Sequence, residues 1–425
     1  MALLNASKEE IVAFDQVMDA FEDTEVMSRL LPKQNMSPEQ AQRTNDTLWL
    51  PEPYIMPVYD GMDQSANFGK IRTQLSVPAQ IGFKKSVPFV LDALDLRDSL
   101  QDGRLGDAAR QALGSAVNQA CINKLGLWGS ITVKRTTAAS GFDDLAAVQI
   151  QLDEQGIQDT GRNFALSSRD YLSAIAELGK RQDTQKDSAT MDAYSRAQVG
   201  SIAGMSGYRL PYSQRLTAAA GGAITTSTLD AAVNYFTPSA LVSATAGEVR
   251  NQDNRVQSLL VSATAGVKAG DSFTIANVYA VHHITKQATP SLKTFKVISV
   301  VDGTHLQITP PVISNQVASD AGEQYQNCIV TAKAAAAVIT WLNTADAYVN
   351  LFWHDNAVRL LPGRYVLPQD AGMQVLTATT KSGLQLVMSK QAVLDTYKFK
   401  YRFDVMFGVE VLQPEMAGTL LFSQP

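Results

Sequence analysis

The stretch from Asp107 to Leu125, DAARQALGSAVNQACINKL, narrows the possible folds more than any other part of this chain. Leu105, Ala109, Leu113, Val117, Cys121 and Leu125 recur every four residues, and Ala108, Ala112, Ala116 and Ala120 fill in between them. That spacing predicts a single long helix with a continuous apolar stripe. Asp107 suits its cap, Lys124 its last turn and Gly126 its stop. With a lead-in from Arg97 it would span roughly 30 to 45 Å. Its inward positions are mostly alanine, so other elements can lie close against it, as they would against a beam. Taken alone, the segment fits a core helix of an α/β domain equally well.

The flanking chain has a different texture. The first 30 residues read as an amphipathic arm, with Ile11, Phe14, Val17, Met18 and Phe21 on one face. Glu9, Glu10, Asp15, Asp19, Glu22, Asp23 and Glu25 occupy the other face, and the prolines of LPKQNMSPEQ (31–40) end the pattern. An isolated helix of that length is marginal in water, so the arm needs a partner surface. TLWLPEPYIMPVY (47–59) and QLSVPAQIGFKKSVPFVL (74–91) read as strands with edge-marking prolines, joined through the turn-rich DGMDQSANFGK (60–70). Together they predict a long projecting hairpin with little core of its own, which has to pack on something external.

Beyond the long helix, WGSITVKR (128–135) and NFALSS (163–168) read as strands. FDDLAAVQIQLDEQG (142–156), RDYLSAIAELGKR (169–181) and MDAYSRAQVG (191–200) read as helices. This alternation indicates an α/β or α+β body. Near Ala218–Gly222 the composition turns to Ser, Thr, Val, Ala and Gly with a period of two. LLVSAT (259–264), DSFTIANV (271–278), KTFKVISVV (293–301) and HLQITP (305–310) are its strands, and Asp302-Gly303 is a hairpin signal. We therefore expect an inserted all-β domain, with helix–strand alternation resuming at AAAAVITWLN (334–343). NLFWHDNAVRLL (350–361), LQLVMS (384–389) and YRFDVMFGVEVL (401–412) close the body. In the last of these, Tyr401, Phe403, Val405, Phe407, Val409 and Val411 alternate onto one side.

Signs of chemistry are few. A chain of 425 residues with 45% hydrophobic content can bury a large core in two to three domains. No G-x-G-x-x-G follows a strand, and there is no Walker loop, H-E-x-x-H or G-x-S-x-G, so no cofactor is implied. Adjacent His282 and His283 sit on one expected strand and so point to opposite faces, which argues against a shared metal. His354 beside Asp355 reads as a packed or capping residue and His305 as an exposed one. Asp143-Asp144 reads as acidic charge at a helix start, and Asp253 as part of a solvated loop. Cys121 and Cys328 form neither a disulfide framework nor a zinc spacing. Net charge is −5 with the signs interspersed, which offers no support for sequence-specific nucleic-acid binding. No leader and no apolar run of about 18 residues is present, from which we expect a protein made in a cytoplasm-like compartment and not a membrane protein.

Several segments, taken in order, resemble the major capsid (coat) proteins of short-tailed phages of the Salmonella phage P-twenty-two type. These are NDTLWLPEPY (45–54), LDLRDSL (94–100), ITVKR after the long helix, SATAGVKAGD (262–271), VVDGTHLQITP (300–310), NLFWHDNAVRLL and VMFGVEVLQPEMAG (405–418). The resemblance covers nearly the whole chain. It implies an α+β, tailed-phage (HK-ninety-seven-like) capsid fold with an inserted all-β barrel domain. Residues 1–45 would be the N-arm, 46–92 the E-loop region, and 93–221 the spine helix, peripheral domain and first part of the axial domain. Residues 222–335 would be the insert, and 336–425 the remaining body and C-terminal strand. Gly103, Gly106 and Gly114, each costing about 1 kcal/mol against alanine inside a helix, would be points where the spine helix begins, bends or straightens.

The function so implied is a self-assembling shell of hexamers and pentamers around double-stranded DNA, in a virion assembled in the host cytoplasm. A scaffolding protein would direct assembly, a portal ring would occupy one vertex, and the precursor shell would expand on packaging. SATAGEVRNQDNRV (243–256) matches the place of a loop that reaches a neighbouring capsomer, with Glu248, Arg250, Asp253 and Arg255 able to pair across a two-fold. A solvated loop is the alternative for these four residues. For the whole chain the alternatives are another phage or surface-layer structural protein, or an enzyme with a β-sandwich accessory domain.

Overall fold

The computed structural model describes residues 14, 27–34, 47–52, 55–56, 58–59, 61–92, 99–180, 201–210, 212–227, 229–243, 247–365, 374–393, 395–396 and 398–425. Most of the acidic arm expected over the first 30 residues, and the helix expected at 191–200, lie outside them. In chain order the main elements begin with strands β1 (Thr47–Pro51), β2 (Ser76–Gln80) and β3 (Phe83–Asp92), then helix α1 (Ser99–Trp128). Next come β4 (Ile131–Lys134), α2 (Phe142–Glu154), β5 (Arg162–Ser167), α3 (Ser168–Lys180), β6 (Ser201–Ile202), β7 (Met205–Leu210) and β8 (Arg215–Leu216). A β-rich run follows with β9 (Leu241–Ser243), β10 (Val249–Asn251), β11 (Gln257–Leu260), β12 (Ser272–Val281), β13 (Ala288–Val300) and β14 (His305–Thr309). After the short helix α4 (Asp320–Tyr325) come β15 (Cys328–Val330), β16 (Ile339–Trp341), β17 (Ala347–Tyr348), β18 (Asn350–His354) and β19 (Val358–Pro362). The chain ends with β20 (Gln374–Thr379), β21 (Gln385–Val393), β22 (Lys398–Val411) and β23 (Ala417–Leu421). The residues cluster into two compact units, each made of three chain segments.

The first unit takes Met1–Leu48, Ala79–Lys124 and Arg359–Glu410. Its sheet runs β19-β22-β21-β20, with β3 also paired to β22. The alternation expected in the C-terminal segment is present, since Tyr401, Phe403, Val405, Phe407 and Val409 are all buried. Cross-strand aromatic pairs reinforce it, with Phe83 stacked on Phe407 at 5.3 Å and Phe89 on Tyr401 at 5.3 Å. Within α1, Ala109, Leu113, Val117 and Cys121 are buried at the spacing of four that predicted the helix. The helix runs unbroken through Gly103, Gly106 and Gly114. It starts at Ser99, eight residues before the expected cap Asp107. Of the arm, Phe14 is buried. A helical turn at Met27–Leu30 is tied to α1 where the Met27 N–H donates to Asn118 Oδ1 at 3.0 Å.

The second unit takes Trp49–Pro78, Leu125–Val358 and Val411–Pro425. One of its sheets has the order β4-β23-β18-β5-β7-β6, and α2 and α3 pack on it. Their shared core includes Leu145, Val148, Leu152, Phe164, Tyr171, Phe352 and Leu420. The end of the long helix is set here. Gly126 was expected to stop it but lies inside it, where a Cβ would sit 3.0 Å from Gln214 Oε1 and 3.5 Å from Val349 Cγ1. Gly126 is needed for close approach, not for a left-handed cap. The helix ends two residues later. At Gly129 a Cβ would lie 2.9 Å from the Gly418 backbone nitrogen, so only glycine lets the chain pass under β23.

The second sheet of this unit is the expected β-rich insert, with antiparallel order β11-β14-β13-β12-β15 and β16 paired to β12. Phe273, Phe295, Leu259, Ile308 and Ile339 are at its core. The expectation of resumed helix–strand alternation at 334–343 is corrected. AAAAVITWLN forms no helix, and Ile339, Thr340 and Trp341 pair with Ile275, Thr274 and Phe273 of the insert. Bridges at Thr225–Val338 and Leu229–Ala334 hold the preceding alanines. Alanine is the best helix former, but intrinsic propensity is a small effect, and cross-strand pairing beside Phe273 and Trp341 overrides it.

Candidate interaction surfaces

Between β1 and β2 the chain folds over 61–71 into turns closed by its own polar groups. The Asn67 N–H donates to the Gln64 carbonyl at 2.9 Å, and the Ser65 N–H to Asp63 Oδ1 at 3.0 Å. Gly61 takes a φ of +98°, which favours glycine. With the turns spending their polar groups on each other, the apolar side chains face outward. Met56, Val58, Met62, Phe68 (88% exposed) and Ile71 (72% exposed) are uncovered. Five large apolar groups are thus uncovered on one stretch of chain.

A second exposed element is the hairpin β9–β10, with Val249 opposite Ser243 and Arg250 opposite Val242. Leu241, Val242 and Val249 are exposed, as are Glu248 and Arg250. The four charged residues singled out in this stretch divide into two pairs. Glu248 and Arg250 stand on the hairpin surface. Arg255, by contrast, has a side chain only 4% exposed. Its Nε and Nη2 donate to Asp253 Oδ1 (2.9 Å) and Oδ2 (2.8 Å), and its Nη1 donates to the Val411 carbonyl at 2.6 Å. The guanidinium also lies over the Trp128 ring, 4.4 Å from its centroid. Asp253 and Arg255 therefore brace the hairpin's root within their own chain.

Near that root is a cavity of about 90 Å³, lined by Glu52, Arg255, His283, Lys293, Asn327 and Glu415 among others. It has room for several waters. Burial lifts the Glu52 carboxyl to about 7, against the pull of Arg255. Burial also lowers the His283 ring to about 4, helped by Lys286, and Lys286 itself to about 8. Burial alone would raise Glu415, but Lys293 at 2.9 Å and the Asn327 amide at 2.7 Å keep it below the usual carboxylate range. These groups act as polar cement between the insert and the sheet beneath it.

Close by, Lys296 is fully buried. Phe295 and Val297 face the insert core, while Lys296 turns the other way and donates to the Gly126 carbonyl at 2.9 Å and Thr419 Oγ1 at 3.2 Å. Thr294 Oγ1 donates to the Ser130 carbonyl at 2.9 Å. Strand β13 thus grips the last turn of the long helix.

The remaining chemical candidates are structural. His354 Nδ1 accepts the Asn356 N–H at 3.0 Å, the capping role expected of it. His282 Nδ1 accepts from the Ile284 and Thr285 amides, at 3.3 and 3.2 Å. His305 pairs with Asp302 at 2.8 Å, and the Thr304 N–H and the His305 ring hold the Asp302 carboxyl down to about 2. Asp143 is exposed, whereas Asp144 is buried and accepts from Arg135 Nε (2.7 Å) and the Ser140 N–H (2.6 Å). Among the described residues no three His, Cys, Asp or Glu side chains could hold a metal. No described helix is long and apolar enough to cross a membrane.

A family model described as "P22 coat protein - gene protein 5" matches residues 1–423. Similar solved structures include one from Mycobacterium phage Che8, at 10% identity and TM-score 0.46, covering 93% of this chain and 90% of that one. The capsid structure of cyanophage P-SCSP1u matches at 12% identity and TM-score 0.41, covering 93% and 87%. The CUS-3 coat protein I-domain matches at 33% identity and TM-score 0.22, covering 29% of this chain and 98% of that one.

Proposed function

Because the chain belongs to the P22 coat protein family, we propose that copies of it close into a shell through three repeated contacts: projecting loop on neighbour, acidic arm on neighbour, and insert on insert. It is a major capsid protein, a structural protein of the icosahedral phage head. The observation that carries the proposed contacts is the uncovered apolar loop between β1 and β2. Burying each of its large side chains against a neighbour stabilises the contact by about 1.5–3 kcal/mol. Repeated around a closed shell, such contacts add up.

Hairpin β9–β10 supplies the insert contact. Glu248 and Arg250 carry opposite charge on one exposed element, the requirement for a patch that pairs with itself across a two-fold. Each such pair contributes about 0.2–1 kcal/mol. Asp253 and Arg255 hold the hairpin at the angle from which it reaches. The chain divides by role into arm (1–45), loop region (46–92), spine with the first body segment (93–221), an insert that runs from 222 past the expected 335 to Trp341, where β16 pairs with β12, and a closing body after it.

A scaffolding protein directs assembly, a portal ring fills one vertex, and the shell expands as double-stranded DNA enters. The net charge of −5 suits a container, because dense cation–phosphate contacts would hinder packaging and release. The protein catalyses no reaction in this role. Size-exclusion chromatography and negative-stain microscopy of the expressed protein test the reading. Closed shells or capsomer rings are expected, and a stable monomer with hydrolytic or redox activity would overturn it.

A further inference from the structure

Residues 70–75, where the projecting loop returns toward β2, lie on the short helix α4 of the insert. Four polar contacts join them. The Ile71 N–H donates to Asp320 Oδ2 at 2.8 Å, and the Thr73 N–H to Gln324 Oε1 at 3.1 Å. The Tyr325 hydroxyl donates to the Thr73 carbonyl at 2.8 Å, and Lys70 Nζ pairs with Glu323 at 2.7 Å. Below them Leu75, Ile313 and Tyr325 form a small apolar cluster, with Ile55 packed against it. Three of the four contacts use main-chain atoms of the loop, so α4 recognises the loop's path rather than its side chains. The helix is built to offer these groups. Ser319 caps it by accepting the Gly322 N–H at 3.0 Å, and Gly322 leaves no room for a Cβ, which would lie 2.6 Å from Val317 Cγ1. Gln324 is fully buried, so its Oε1 is a fixed acceptor.

Beyond this anchored root the loop carries Met62 and Phe68, both uncovered. A loop that is mobile until it binds loses its conformational freedom at the moment of association, and one held beforehand does not. We propose that α4 of the insert is a cradle that fixes the projecting loop of its own subunit in one pose, so that the apolar tip meets a neighbouring copy already ordered. This rests on the reading that the loop engages a neighbour. It gives the insert a second task, control of loop presentation, beside its own contacts between copies.

Hydrogen exchange on the unassembled full-length monomer tests the cradle without requiring shells. The Ile71 and Thr73 amides should be protected in the wild type. Asp320→Ala combined with Tyr325→Phe should speed their exchange by at least about tenfold. The Ile339 amide, bonded to the Ile224 carbonyl at 3.0 Å within the insert, should not change and so reports an intact fold. The exchanged pair Lys70→Glu with Glu323→Lys should keep the wild-type protection. Unprotected Ile71 and Thr73 amides in the wild type, or equal protection in the double variant, would overturn the cradle. Light scattering then tests the consequence. The double variant should assemble several-fold more slowly, and an unchanged rate with a released loop would overturn the ordering role. Failure of the wild type to form shells while Ile71 and Thr73 stay protected would instead count against the capsid contacts alone.

Discussion

Replacing Lys296 with methionine should change how stability responds to pH more than its value at any one pH. The ammonium is fully buried, and burial pushes its pKa down from the ordinary 10.5 to about 7. In the unfolded chain the group keeps a pKa near 10.4. The unfolded state therefore binds more protons than the native one between about pH 7 and 10, and stability rises with pH across that window. The difference between 10.5 and about 7 corresponds to about 5 kcal/mol, gained at about 1.4 kcal/mol per pH unit. Below pH 7 the whole penalty is present. Lys296→Met removes the titration, at the cost of leaving the Gly126 carbonyl without its 2.9 Å donor, about 1–3 kcal/mol at every pH. Urea unfolding of wild-type and variant monomers at pH 7, 8, 9 and 10 gives the difference directly. It should shift in favour of the wild type by about 1.4 kcal/mol per unit. Parallel curves would mean that Lys296 keeps an ordinary lysine pKa in the native state, as a side chain that reaches water does, and would refute the buried-lysine account.

Other substitutions probe separate joints. Gly129→Ala, which forces a Cβ to within 2.9 Å of the Gly418 backbone nitrogen, should cost about 1–3 kcal/mol by denaturant midpoint. Arg255→Ala leaves Asp253 and the Val411 carbonyl without their donor and empties the face of Trp128. It should destabilise the monomer by about 3–5 kcal/mol. Glu248→Arg paired with Arg250→Glu should leave monomer stability unchanged, because both side chains are exposed. Either single reversal should lower shell stability to heating, and equal melting of all the shells would remove the hairpin contact.

What could be read from the residues followed how locally each feature is determined. The alternation of Tyr401 to Val411 and the stripe from Ala109 to Cys121 needed only a regular period and one covered side, and both are buried as expected. The alanine run at 334–337 misled because its partners lie far back in the chain, Leu229 beside Ala334 and Thr226 donating to the Ala337 carbonyl. Gly126 misled for a similar reason, since what crowds it comes from Gln214 and Val349. The arginine in QDNRV was expected either to pair across a two-fold or to stand in solvent, and instead lies over Trp128, far away in sequence. Lys296 gave no signal either. On a strand with one face on a core, a lysine reads as water-facing, and only the packing of the helix end against that second face buries it. Family resemblance supplied the order of the parts, and side-chain geometry then showed which charges point outward.

The central claim, that copies join through the uncovered loop, is tested most directly by Met62→Asp combined with Phe68→Asp. Both side chains are exposed in the single chain, so the monomer should keep its fold, its circular dichroism and its denaturant midpoint. Assembly followed by light scattering and negative-stain microscopy should yield no closed shells under conditions where the wild type forms them. Wild-type shell yield from the folded double variant would contradict the account.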